Sequence, residues 1–258
     1  MTLTSDQIRD YHADGFTIVK GLIPPGLLKN IAEHLDRAAL GQLDSGIAVQ
    51  VEPEVQRLDI RPDNPLNRIR KVSRVVRHDS FFRSVATCEP ILSCMRDILG
   101  DNLRFFGDEA QLKPAFYGSA HAWHQDAPYF YSIPLPVATV WIAVDEATPE
   151  NGCLQVVPGL HRQGILKRPN SDQPWFDEGE FDTTDAVPVV LNAGDALFFH
   201  LCLPHGSDSN TSSKRRRSLI YRYINVDRIT TDMVPLVKRH GCLSNSPDSH
   251  PIFRMAIP

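Results

Sequence analysis

Two short stretches hold residue types that could do chemistry together: His124-Gln125-Asp126 and His205-Gly206-Ser207. On an extended strand, side chains two positions apart project from the same side. A histidine and a carboxylate so placed can reach one metal ion from one direction. A third ligand must come from elsewhere in the chain, and His205, just after the apolar run Ala196-Leu-Phe-Phe-His200, is the candidate. Two imidazoles and one carboxylate on one face of an octahedral ion leave the opposite face open. That is the ligand set of non-haem Fe(II) oxygenases, which need open positions for a co-substrate and for O2. A single carboxylate also leaves the site with net positive charge, which attracts an anionic co-substrate. By itself an H-x-D tripeptide is a weak signal, since a polar strand end can carry it by chance.

An enzyme of this kind that uses 2-oxoglutarate also needs a cation for the far carboxylate. Arginine suits the task because its planar fork matches a carboxylate with two hydrogen bonds. Thr211-Ser-Ser-Lys-Arg-Arg-Arg217 follows His205 and runs into the strand pattern of 218–226. Alternation lets only some of Arg215, Arg216 and Arg217 point inward. A solvated edge is the expectation for two of the three.

The elements that must position these residues are legible as a change of period. Residues 4–14 read as a helix capped by Thr4 or Ser5 and ended by Gly15. Phe16-Thr-Ile-Val-Lys20 then reads as a strand. Pro24-Pro25 opens a helix to about Leu40, with Leu27, Leu28, Ile31 and Leu35 on one face. Residues 41–65 have no clear period and read as an irregular segment with a strand near 47–51, either a cover over a site or a plain surface loop. Arg68–Val72 reads as a strand. Two helices follow, one capped by Asp79 and one started by Pro90 and stopped by Gly100. From residue 102 the pattern turns to period two: strands are expected at 103–106, 110–113, 137–144, 153–157, 187–191, 196–199 and 219–226, with turns at Glu150-Asn-Gly152, Pro158-Gly159 and Asn192-Ala-Gly-Asp195. Residues 168–186 read as an inserted polar loop. Many short strands with such turns predict a sandwich or jelly roll closing over a cavity.

Composition narrows the class further. The chain has 258 residues and a formal charge of −4, so no basic surface argues for nucleic acid. No apolar run approaches a membrane span, and the start shows no signal-peptide pattern. The five cysteines, Cys88, Cys94, Cys153, Cys202 and Cys242, contain no C-x-x-C pair. They read as reduced thiols of a cytoplasmic protein. The expected partner is a small molecule; oligomeric state is not legible. Gln111, Phe116, Tyr117, Trp123, Tyr129, Phe130 and Tyr131 are the expected substrate-lining residues, aromatic as often as polar. His121, three residues before His124, falls off its strand face and is not expected as a ligand; neither is His161, which follows a turn. Asp195 is expected to make a turn hydrogen bond.

The ordered set of motifs resembles one family. His124-Gln-Asp126, Trp141-Ile-Ala-Val-Asp145, Glu150-Asn-Gly-Cys-Leu154, Pro158-Gly-Leu-His161, Gly194-Asp195 and His205-Gly-Ser-Asp-Ser-Asn210 followed by Arg216 are similar to the phytanoyl-CoA dioxygenase family, as is Tyr11-His-Ala-Asp-Gly-Phe16 near the start. The resemblance implies a mainly β chain with flanking helices, built as a double-stranded β-helix (a cupin-like jelly roll). It would be one domain over 1–258, with helical support over 1–101, a core over 102–230 and a tail over 231–258. It implies an Fe(II)- and 2-oxoglutarate-dependent dioxygenase in which His124, Asp126 and His205 hold the iron. Arg216 would grip the C5 carboxylate of 2-oxoglutarate, and Trp141, Lys71 and Lys113 would stand beside it. The reaction expected is hydroxylation of an unactivated C–H bond with succinate and CO2 as co-products. One departure stands out: Glu109 occupies a position where relatives often carry Met or Gln, so its carboxylate must meet a cation or reshape the co-substrate wall. Two other classes stay open, a jelly-roll metal-binding protein without catalysis and a cupin-type metalloenzyme that does not use 2-oxoglutarate.

Overall fold

The computed structural model describes residues 2–130, 135–166, 175–177, 179–231 and 233. The N-terminal third builds a helical layer. Thr4 caps α1 (Ser5–Asp14) through a reciprocal pair with Gln7, and Gly15 ends it in the left-handed region at φ 87°. The strand β1 (Phe16–Val19) follows. Pro25 opens α2 (Pro25–Ala39), whose Ile31 and Leu35 are fully buried. β2 (Ala48–Val51), α3 (Pro53–Arg57), β3 (Ile69–Ser73) and α4 (Val75–His78) come next. Asp79 caps α5 (Ser80–Ala86), and α6 (Glu89–Leu99) ends at Gly100.

Eight further strands lie C-terminal to these: β4 (Leu103–Lys113), β5 (His121–His124), β6 (Val137–Ala143), β7 (Leu154–Val156), β8 (Val187–Val189), β9 (Ala196–His200), β10 (His205–Ser207) and β11 (Arg216–Asn225). A four-residue helix α7 (Ala127–Phe130) separates β5 from β6. Among the described residues the strands form two antiparallel sheets, ordered β1-β9-β6-β11-β4-β3-β2 and β5-β10-β7-β8. This is the jelly roll expected, with one difference in its parts. The N-terminal segment is not only a helical support, because β1, β2 and β3 extend the larger sheet on both edges. The tail expected over 231–258 lies almost wholly outside the described residues, as do Cys242 and much of the loop expected over 168–186.

Alternation divides the large sheet between two cores. Val140, Ile142, Phe198, Leu219 and Tyr221 face the helices and join Ile31, Leu35, Phe82, Ile91 and Met95. Trp141, Ala143, Leu197, Phe199 and Ile220 face the other way, toward Leu154, Val156, Val189 and Leu191 of the small sheet. The second face is the one that carries chemistry.

The basic triplet is used differently from expectation. Arg216 points between the sheets, but Arg215 and Arg217 are not a solvated edge. Arg217 makes a fork to Asp145 (Nε–Oδ2 2.8 Å, Nη2–Oδ1 2.7 Å) and reaches Asp36 on α2 at 3.1 Å; Arg215 meets the other Asp36 oxygen at 2.6 Å. These bonds clamp α2 onto the sheet beside the strand that presents Arg216. Arg217→Ala leaves Asp145 and Asp36 partly buried without their common cation. It is expected to lower unfolding stability by about 2 kcal/mol or more in urea titration.

Candidate active site

His124 ends β5, and His205 begins β10. The two are direct cross-strand partners, so their imidazoles lie 4.2 Å apart between centroids. Each Nδ1 faces a backbone carbonyl two residues earlier, Ala122 at 2.8 Å and Leu203 at 2.9 Å. With those hydrogen bonds made, each Nε2 keeps its lone pair for a metal. Both Nε2 atoms lie 3.9 Å from Asp126 Oδ1. One ligand atom from each of the three side chains falls within 4.8 Å of the others, and all three residues are buried. Burial, with His205 and His121 nearby, depresses His124 to a pKa of about 3, so it is a neutral donor.

Asp126 does not share a strand with His124, as its spacing suggested. The strand stops at His124, and Asp126 sits in a bend leading into α7. The intervening Gln125 fixes that bend: its amide donates to Cys202 O (2.7 Å) and Gly164 O (2.8 Å), and its oxygen accepts from Leu166 N (2.9 Å). His121 is outside the metal group, as expected, but not turned away from it: its ring lies 5.1 Å from that of His124 and lines the same cavity. The pairing of β5 with β10 slips between His205↔His124 and Ser207↔His121, three residues against two. The bulge cancels the alternation that was expected to turn His121 away.

Arg222 is a residue that the motifs did not single out. Its Nε donates to Asp126 Oδ2 at 3.1 Å and its Nη2 to Glu109 Oε1 at 3.1 Å. Glu109 pairs in turn with Lys71. Burial opposes ionisation of Asp126, but the Arg222 guanidinium outweighs it and holds the carboxyl well below the usual range. Glu109 therefore meets two cations, and Lys71 reaches this wall through Glu109 rather than lining the cavity. The signal for Arg222 was available: Arg216, Ser218, Ile220 and Arg222 share one face of β11.

Arg216 lies on that face, fully enclosed. Its Nη2 donates to Gly152 O at 2.9 Å and its Nη1 to Ser218 Oγ at 3.3 Å, while Nε has no partner. The guanidinium stands over the Trp141 ring, 5.3 Å from its centre. Lys113 is the cross-strand partner of Arg216 and donates from Nζ to Asp208 O. Burial, and then Arg216 beside it, lower Lys113 to a pKa of about 6. Among the described residues, neither Arg216 nor Lys113 has a carboxylate bonded to it, in contrast to Arg222 and Lys71.

His121, His124, Asp126, His205, Glu109, Arg222, Lys113, Arg216 and Trp141 line one cavity, and Lys71 does not. Of the expected lining residues, Gln111 faces it. Phe116 is 62 % exposed, Trp123 lies tilted against Phe181, and Tyr129 touches the His124 ring edge-on. The Phe130 side chain and Tyr131 lie outside the described residues. His161 is buried beside His200, away from this cavity; Asp195 accepts the expected turn bond from Asn192 N and also a bond from the distant Gly21 N.

Known proteins share both sequence and fold with this chain. A methylphosphonate hydroxylase from Gimesia maris is 29% identical over 223 residues, 86% of this chain and 81% of that one. The peroxisomal phytanoyl-CoA dioxygenase of Homo sapiens is 27% identical over 240 residues, 87% and 69% of the two chains. In fold, the chain is similar to EctD from S. alaskensis, crystallised with 2-oxoglutarate and 5-hydroxyectoine, at a TM-score of 0.70 and 21% identity over 87% of this chain and 77% of that one. The family model described as phytanoyl-CoA dioxygenase (PhyH) matches residues 11–218, most of the chain and every site residue named above except Arg222, and the chain belongs to that family.

Proposed function

We propose that this chain is an Fe(II)- and 2-oxoglutarate-dependent dioxygenase that hydroxylates an unactivated C–H bond of a small molecule, releasing succinate and CO2. The observation that carries the reading is one cavity holding both a buried His124–Asp126–His205 cap and a buried guanidinium, Arg216, with no acid among the described residues bonded to it. A cap of this composition fits Fe(II) with its opposite face open. Bound iron would supply O2 activation at the expense of 2-oxoglutarate. The names of the hydroxylase and dioxygenase relatives support the same reading.

The protein's share is positioning. His124, Asp126 and His205 would hold the metal, each fixed by a second hydrogen bond to Ala122, Arg222 or Leu203. Arg216 would take the C5 carboxylate of 2-oxoglutarate with its free Nε edge, and Lys113 would add a second positive charge. Trp141 would pack beside the co-substrate's methylenes. Lys71 serves indirectly, by neutralising Glu109 so that Arg222 remains available to Asp126. A jelly roll that binds metal without 2-oxoglutarate would have no use for a desolvated, acid-free arginine, whose burial is costly.

The test is succinate release by the Fe(II)-loaded protein with 2-oxoglutarate, with and without a chelator. Chelator-sensitive succinate supports the reading; no succinate and no 2-oxoglutarate binding would end it. A pH effect accompanies binding. With its pKa depressed to about 6, Lys113 is neutral at pH 8. An arriving dicarboxylate raises that pKa and draws a proton onto the amine. Calorimetric titration at pH 8 in buffers of different ionisation enthalpy is expected to report uptake of up to one proton. The uptake fades as pH falls below 6, where Lys113 is already charged, and is absent in Lys113→Met.

A further inference from the structure

Glu52 is the single residue between β2 and α3, and its side chain is completely buried. One carboxylate oxygen is fully used. Oε1 accepts from Ser119 N and Arg70 Nη1, both at 3.2 Å, and from Ser119 Oγ. Those bonds explain the residue as an anchor that ties its segment to the loop before β5. They leave the other oxygen unexplained. Oε2 is buried and has no hydrogen-bond partner among the described residues, although Glu52 lines the same cavity as the metal cap. An anionic acceptor left unsatisfied costs more free energy than most single contacts contribute.

An acceptor of this kind repels both carboxylates of 2-oxoglutarate, so it cannot mark the co-substrate's place. That place has cationic contacts of its own: Arg216 over Trp141, with Gly152 and Lys113 alongside. Glu52 is tied through Ser119 to the loop before β5, whose His121 leads to His124, and its carboxylate is also near enough to act on Lys113. Arg70 bonds Glu52, and the polar Gln111 and His121 line the same cavity. Resting on the oxygenase reading above, we infer that Glu52 Oε2 is a substrate-recognition point. It takes an O–H or N–H donor of a small polar substrate whose reactive carbon lies toward the metal. A purely apolar scaffold would leave this oxygen buried without a donor. Such a substrate is therefore disfavoured by the wall itself, whatever the size of the cavity.

Three probes of six heavy atoms each test this: 1-pentanol, pentylammonium and butyl methyl ether. They match in size and differ in the donor. Their affinities are measured by ligand-observed NMR on full-length protein loaded with Zn(II) and 2-oxoglutarate, in wild type and Glu52→Gln. Gln keeps an oxygen for Ser119 and Arg70 but presents N–H where Oε2 stood. In wild type at least one donor probe is expected to bind about ten-fold or more tightly than the ether. In Glu52→Gln that advantage disappears, with an unchanged melting temperature. The tighter of the two donor probes identifies the donor as hydroxyl or ammonium. Equal binding of all three in wild type overturns the inference, as does an advantage that survives in Glu52→Gln. Binding of 2-oxoglutarate itself, followed in the same samples, reports on Arg216. Its absence would strike the oxygenase reading, whereas a flat donor comparison with 2-oxoglutarate bound strikes only the role of Glu52.

Discussion

Asp126→Ala is expected to lower succinate formation by at least roughly a thousand-fold, more than about 4 kcal/mol of barrier. Three side chains meet at the proposed iron position, and Asp126 is the one that is anionic. Removing it takes away one ligand of three and the charge that offsets a dication. The fold has reason to survive. Arg222 loses one carboxylate but keeps Glu109 at 3.1 Å, and Glu109 keeps Lys71. The variant should therefore melt cooperatively and still present Arg216 while failing to retain Fe(II) through desalting. Iron content measured beside activity separates this account from a general loss of structure. A variant that kept both its iron and its turnover would show that Asp126 is not a ligand.

The second large effect belongs to Arg216. Arg216→Ala is expected to raise the apparent KM for 2-oxoglutarate by roughly 30-fold to more than 1,000-fold, the range that follows from 2–5 kcal/mol for truncating one partner of a buried charge pair. The rate at saturating co-substrate should change far less, because the guanidinium lies at the far end of 2-oxoglutarate from the metal in this reading. Arg216→Lys should recover only part of the loss. A lysine keeps the charge but cannot reproduce the bonds to Gly152 O and Ser218 Oγ or the stacking over Trp141. Added methylguanidinium should restore some activity to the alanine variant and none to the wild type. An unchanged KM in Arg216→Ala would favour a metalloenzyme that does not use 2-oxoglutarate.

Much of this site could be read from residues before any coordinates. The two histidines were marked by residue type and by the turns and apolar runs around them, and Arg216 by its place at the entry of a strand where alternation lets only some of three arginines point inward. Helix ends were equally legible, because Thr4, Asp79, Gly15 and Gly100 act through local hydrogen bonds and backbone angles. What failed was alternation carried across an irregularity. The bulge opposite His205 and Ser207 turned His121 inward, and the bend held by Gln125 took Asp126 off the strand. Arg222 could have been found by counting by twos from Arg216. Glu52 could not have been found in that way, since its segment has no period and its place is set by contacts with Arg70 and Ser119, which are distant in sequence.

The central claim is that one ferrous ion sits between residues 124, 126 and 205. Crystals grown anaerobically with Fe(II) and 2-oxoglutarate, measured on both sides of the iron absorption edge, test it directly. A single strong anomalous peak is expected, bounded by the Nε2 atoms of His124 and His205 and by the Asp126 carboxylate, with the far carboxylate of 2-oxoglutarate against Arg216. A peak elsewhere, or a cavity in which 2-oxoglutarate turns its far end away from Arg216, would contradict it.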